Sequence, residues 1–338
     1  MPGRRVRREA PRAVERPPIG SVAPRRCAVL HMPTRRRVLA LLVSLPACRP
    51  RAAASPTLRS GAAGPVLGGV ASYVSSPWSF STVNWLIAAP QGTVMVDTQF
   101  LPSAALESAA LARARTGRAV TDAIVLHPNP DKFNGTAALQ AAGARVHTSA
   151  QVRFEIPAVH AQRKAAFFDR YAPDYPEAVP EPTSFGTRTT TLSLGGTDIV
   201  AHVLGAGCSH THVVAVWQDH AFVGDLVTPG AHAWLELGLV DAWLARLGEI
   251  EALQPKWVHC GRGTSGGAEC IALQRAYLEH ARECVAAEKP AGPPRRDAIE
   301  RARQAILRRH PDHRFAVFLN IGLPALWREL AAESGDSP

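Results

Sequence analysis

Four apolar runs with the length and β-branched content of strands each end in a cluster of polar side chains. No other feature of the sequence limits the fold as tightly. Ala119–Leu126 leads into His127-Pro128-Asn129-Pro130-Asp131-Lys132. Asp198–Leu204 leads into Gly205-Ala206-Gly207-Cys208-Ser209-His210-Thr211-His212. Ala221–Val223 delivers Gly224-Asp225, and Lys256–His259 delivers Cys260-Gly261-Arg262-Gly263. Strand ends that carry reactive side chains are where sheet proteins build sites, and four of them point to one shared site. In the first cluster His, Asn and Asp stand at alternate positions between two stiffening prolines, so several side chains can be aimed at one point.

The surrounding pattern predicts the layers. Thr82–Ala89 and Thr93–Asp97, joined by Pro90-Gln91-Gly92, predict a hairpin. Thr189–Leu194 and Asp198–Leu204 predict a second one around Gly195-Gly196. Helical patterns cover residues 102–116, 134–142, 158–171, 239–253, 266–286 and 296–309, and much of 314–333. Paired strands with interspersed helices make a layered α/β or α+β sandwich. No segment of the body reaches the roughly 18 apolar residues of a membrane span.

Charge decides which partners to consider. The chain carries a net +10, but residues 1–54 hold thirteen Arg and two Glu, which leaves the other 284 residues at −1. The basic character belongs to a leader, so a nucleic-acid reading of the body fails. Residues 1–31 are rich in Arg and Pro, and Met32 opens a better start. From there Arg35–Arg37 precede the apolar Val38–Leu45, the order of an export signal. Thr34-Arg35-Arg36 resembles a twin-arginine signal, and Leu45-Pro46-Ala47-Cys48 resembles a lipoprotein processing box with Cys48 as a lipid anchor. The expectation is a periplasmic or otherwise exported protein. The six cysteines show no CxxC pair and no regular spacing, so neither a zinc finger nor a disulfide scaffold is indicated.

The four clusters, in this order, resemble the metallo-β-lactamase superfamily. That family has a His-x-His-x-Asp-His turn after a strand, a later Gly-x-Gly-His segment, a Gly-Asp strand end and a Gly-His-Gly loop. Val94-Met95-Val96-Asp97 fits its early apolar strand ending in Asp. The resemblance covers roughly residues 65–290. It implies a four-layer αββα sandwich with the site at the mouth between two sheets. The leader at 1–54 precedes it, and a C-terminal helical extension at 294–338 follows.

The departures from the family pattern are specific. His127, Asp131 and Asp225 are kept. Asn129 and Lys132 stand where two histidines belong, Cys208 replaces the third, and Arg262 replaces the last. Grouped by the resemblance, the first metal would be left with His127, Asn129, Cys208 and Asp225. The second would be left with Asp131, Lys132 and Arg262. Two cations repel a metal but can balance two carboxylates, so an Asp131/Asp225–Lys132/Arg262 ion-pair network is expected in the second metal's place. The first set could hold one zinc ion, with Asn129 or water as fourth ligand. Alternatively no metal binds, and Cys208, beside His127 or His210 and two cations, is a low-pKa thiolate nucleophile. Asp131, Lys132 and Arg262 are the candidate catalytic residues. His232 and Trp234 are candidates for a substrate wall around a small-molecule substrate, which Lys132 and Arg262 suggest is anionic. His212 reads as the cap of an apolar strand, and Cys260, Cys270 and Cys284 as packing. The expected activity is hydrolysis with at most one metal, and the alternative is a non-catalytic ligand-binding member of the same fold.

Overall fold

A computed structural model of the protein describes residues 60–335. The leader, Met32 and Cys48 lie outside the described residues.

The first sheet follows chain order: β1 (Ala62–Ala63), β2 (Ala71–Val74), β3 (Val83–Ala89), β4 (Gly92–Val96), β5 (Val120–Ile124), β6 (Arg145–Thr148) and β7 (Thr183–Ser184). Neighbours are antiparallel through β4 and parallel from β4 to β7. Parallel pairing needs crossovers, which helices supply. They are α1 (Pro102–Thr116), then α2 (Pro130–Phe133) and α3 (Thr136–Ala141), then α4 (Ala150–Tyr171). The second sheet holds β8 (Thr190–Leu194), β9 (Thr197–Leu204), β10 (His212–Trp217), β11 (His220–Gly224) and β12 (Trp257–Cys260), in the order β12-β11-β10-β9-β8. Its β11–β12 pair is parallel, crossed by α5 (Val240–Ala252). The chain closes with α6 (Glu269–Ala286), α7 (Arg296–Arg309) and α8 (Phe318–Gly335).

Strand alternation explains the layering. Val213 and Ala215 of β10 and Phe222 of β11 face a core shared with Trp85, Ile87, Met95 and Ile124 of the first sheet. Val214, Ala221 and Val223 face the other way, into a core with Trp243, Leu247, Ile271 and Leu278. Successive side chains of a strand point to opposite faces, so both faces are apolar only where both are covered. The helices α7 and α8 join the second core through Ala302, Ile306, Leu323 and Trp327.

Two expectations shift. The first cluster is not wholly an extended turn, because Pro130 opens the helical turn α2 with Asn129 at its N-cap. Proline suits the first helical position, where no intrahelical N–H is needed. The helix expected over 158–171 starts at Ala150, where the Ser149 hydroxyl accepts from the Val152 amide at 3.2 Å. The short β1, β2 and β7 gave no periodic signal.

The polar clusters follow the C-terminal ends of β5, β9, β11 and β12. Direct bonds tie the two sheets together at this end. The Val213 amide donates to Leu126 O at 2.6 Å, the Val83 amide to Gly261 O at 3.0 Å, and Trp85 Nε1 to Cys260 O at 3.0 Å. Among the described residues no helix is long and apolar enough to cross a membrane.

Candidate functional site

The deepest part of the site is an ammonium among carboxylates. Lys132, on α2, is fully buried, with Nζ 2.8 Å from Asp225 Oδ1, 3.0 Å from Asp131 Oδ2 and 3.8 Å from Asp97 Oδ2. Arg262 bonds Asp131 Oδ2 through one guanidinium nitrogen, and another lies 3.6 Å from Asp225 Oδ2. The Thr82 hydroxyl donates to Asp131 Oδ2 at 3.3 Å. Gly261 makes this approach possible, since a Cβ there would lie 2.4 Å from Asp225 Oδ1 and 2.7 Å from Lys132 Nζ.

Asp97 is a third carboxylate that the motif count left out. It follows β4 in a left-handed conformation, φ +63°. Asn84 Nδ2 donates to the carbonyls of Val96 and Asp97, at 2.9 Å each, and Asp97 Oδ1 accepts from the Leu126 amide at 2.9 Å. Burial outweighs Lys132 here and pushes the Asp97 carboxyl up to about 7. The other acids behave oppositely. Burial would raise Asp225 and Asp131, but Arg262 and then Lys132 outweigh it and hold both carboxyls below the usual range. Burial would lower Lys132, but Asp131, Asp225 and Asp97 outweigh it and raise its pKa. Two ionised carboxylates thus balance two cations, with Asp97 close to its midpoint at neutral pH.

Beside this cluster stands a set of softer donors. His127, Cys208 and His212 are buried, and one ligand atom from each lies within 4.8 Å of the others. His127 Nδ1 shares a hydrogen bond with Ser209 Oγ at 3.0 Å. Its Nε2 has no hydrogen-bond partner among the described residues and lies 3.8 Å from Asp225 Oδ2. Cys208 Sγ is 3.8 Å from His212 Nε2, which accepts from the Ser209 amide at 3.2 Å. Burial lowers His127 to about 4 and His212 well below the usual histidine range, so both rings are neutral. Burial, then Asp225, pushes the Cys208 thiol up well above its ordinary value, more than Lys132 lowers it. The thiolate expected at Cys208 is therefore disfavoured.

Among the described residues these three donors lie close enough together to be candidate ligands of a metal ion. Zinc bonds of about 2.0–2.3 Å put tetrahedral donors roughly 3.5 Å apart. The three ligand atoms reach that spacing after a closing movement of about 1 Å. In the tautomer in which His127 Nδ1 donates to Ser209 Oγ, Nε2 presents its lone pair. Around Asp131 and Asp225 the space between carboxylates is already filled by Lys132 and Arg262.

Above the charges lies a cleft open to solvent, lined by Asp131, Asp225, Arg262, Asn129 and a set of aromatic rings that includes Trp234. Asn129 thus lines the cleft. His232, expected on the same wall, turns inward. Its amide donates to Arg314 O at 2.9 Å, and its ring bonds the Tyr277 hydroxyl at 2.9 Å under α6. His259 is buried against Trp85 and bonded to His220 at 2.9 Å, away from the cleft lining.

A sequence profile described as the metallo-beta-lactamase superfamily matches residues 79–262. The chain belongs to the metallo-beta-lactamase superfamily. Among solved structures, this superfamily member resembles in fold the metallo beta lactamase from Erythrobacter litoralis with beta mercaptoethanol in its active site. The TM-score is 0.51 at 15% identity, over 65% of this chain and 96% of that one. It also resembles FIM-1 from Pseudomonas aeruginosa in its mono-zinc form, with TM-score 0.50 and 15% identity over 66% of this chain and 96% of that one. Among curated proteins nothing matches.

For this superfamily member, sequence reasoning missed two residues of the cluster. His212 read as a strand cap because it opens β10. Asp97 read only as the end of an early strand. The available signal was the Cys208-to-His212 spacing of four, which brings the two side chains together only because the intervening loop folds back.

Proposed function

We propose that the chain is an exported metallo-β-lactamase-fold hydrolase-like protein that binds at most one metal ion. In this reading Lys132 and Arg262, paired with Asp131 and Asp225, take the place of the second metal. One observation carries it: the Lys132 ammonium sits 2.8, 3.0 and 3.8 Å from three buried carboxylates, where a cation is needed. A buried pair of this kind is costly to break, because either partner left alone is an uncompensated charge.

The single ion would be held by His127, Cys208 and His212, and zinc bound there supplies Lewis acidity. The chain's own residues do the rest. Lys132 does not reach the cleft and serves as a buried counter-ion. Asp131 and Asp225, kept ionised, accept hydrogen bonds from an attacking water at the cleft floor. Arg262, paired with Asp131 and beside Asp225, holds those two acids ionised at the same floor. Trp234 and Asn129 position that substrate. Export is supported by the order of charge, apolar run and small residues after Met32. N-terminal sequencing of the expressed protein tests it, and retention of residues 32–47 would refute it.

The test of the site is metal content of the purified protein by plasma mass spectrometry after growth with zinc. No more than one zinc per chain is expected, and any bound zinc should be lost in Cys208→Ala and His212→Ala. Two per chain would overturn the ion-pair reading. Turnover of ester, thioester, lactone and phosphoester substrates, compared with Asp131→Asn, separates a hydrolase from a silent ligand binder.

A further inference from the structure

The cations that invited an anionic ligand in the sequence are not free to bind one. Lys132 is fully buried among three carboxylates. Arg262 is committed to Asp131 and lies beside Asp225. The other cation on the cleft lining, Arg163, is ion-paired with Glu236 and stacked over the Trp234 ring at 5.2 Å. Trp234 Nε1 in turn donates to the same Glu236 carboxylate at 3.0 Å. Each cleft cation therefore already has an internal acid. An entering anion would also meet Asp131 and Asp225 on the floor, so it would lose hydration without gaining a partner.

The walls have a different character. Phe80, Phe100 and Phe167 form one group of rings, with edge contacts at 4.8, 5.5 and 5.8 Å between centroids. Trp234 and Phe318 form another, edge to face at 4.8 Å. All five line the cleft. They come from sequence-distant segments: Phe80 after β2, Phe100 after β4, Phe167 on α4, Trp234 after β11 and Phe318 on α8. A cleft walled by aromatic faces and edges and closed by a charge-balanced floor complements an apolar ring system.

We infer that this cleft takes an uncharged aromatic acyl compound and selects against its anionic counterparts. The inference rests on the reading of the cleft as the substrate mouth. It departs from the anionic substrate that Lys132 and Arg262 suggest when read as free charges.

Two probes that share one ring system and differ in charge test it. Methyl 1-naphthoate and the 1-naphthoate anion are titrated into the full-length protein by calorimetry, at low and at high salt. The ester should bind at least about tenfold more tightly than the anion, with a Kd that does not change with salt. Trp234→Ala should weaken the ester about tenfold, while Trp234→Phe, which keeps a ring on the wall, should retain most of the affinity. Melting curves of both variants show that they fold. Tighter, salt-sensitive binding of the anion would overturn the inference. So would failure of both probes to bind, or an ester Kd that Trp234→Ala leaves unchanged. Cleavage of the ester and zinc content are followed separately. Protein that binds the ester without cleaving it keeps this inference without supporting the catalytic reading, and two zinc ions per chain would keep this inference and overturn the ion-pair reading.

Discussion

Lys132 is the residue on which the site turns, since every acid of the floor depends on it. Replacing it with methionine keeps the stem but leaves Asp131 and Asp225 with Arg262 as their cation, and takes from Asp97 the ammonium that faces it. The cost should be about 3–5 kcal/mol at neutral pH, measured by denaturant unfolding. Asp97 gives a prediction of opposite sign. Its carboxyl is raised from its ordinary value to about 7, so between about 4 and about 7 the folded chain keeps a proton that the unfolded chain has released. The stability this contributes is full below the unfolded value and is lost as pH rises through the folded one. Asp97→Asn keeps an acceptor for the Leu126 amide and should flatten that decline, raising Tm at pH 7.5 relative to wild type. A variant as pH-dependent as wild type over this window would refute the assignment. Asp131, Lys132, Asp225 and Arg262 were legible in the sequence because each sits at a motif position with a defined charge. Asp97 and His212 were not, because their roles come from distances that no linear spacing encodes. The thiolate alternative for Cys208 is disfavoured for the same reason: burial and then Asp225 raise the thiol more than Lys132 lowers it, and the base beside it is His212.

At the scale of elements, the strand ends were the legible part and the loops were not. The β-branched runs located β3 to β6 and β8 to β12 within a residue or two, either as continuous apolar runs where both faces are buried, as in β4 and β11, or by alternation where one face is exposed, as in β8. The direction of a loop side chain is set by what the loop bonds to. Arg314 O captures the His232 amide and turns that ring away from the cleft, while Trp234, two residues on, stays on the wall. The loop after β12 also carries a steric demand. At Gly261 even a methyl group would collide with Asp225 Oδ1 and Lys132 Nζ. Gly261→Ala should therefore destabilise the fold by about 1–3 kcal/mol and separate Arg262 from Asp131. The checks are thermal unfolding and, where zinc binds, its content in the variant.

At the scale of the molecule, the C-terminal helices are part of the second core. Ala298, Ala302 and Ile306 of α7 and Leu319, Leu323, Leu326 and Trp327 of α8 are buried with the outer face of the second sheet. Phe318 of α8 also reaches the cleft. A chain ending at residue 293 should fail to give a cooperative melt, and a soluble, cooperatively melting truncate would show that the sandwich closes without them. The sequence indicated these helices by their spacing, but nothing in it tied them to the cleft. The stitching between sheets has a consequence in time. Asp131 and the Arg262 that pairs with it are 131 residues apart. At about 5–20 residues per second, a ribosome delivers the second on the order of ten seconds after the first. During that interval Asp131 has no Arg262 to balance it. The last strand to be synthesised, β12, therefore delivers the loop that carries the remaining cation.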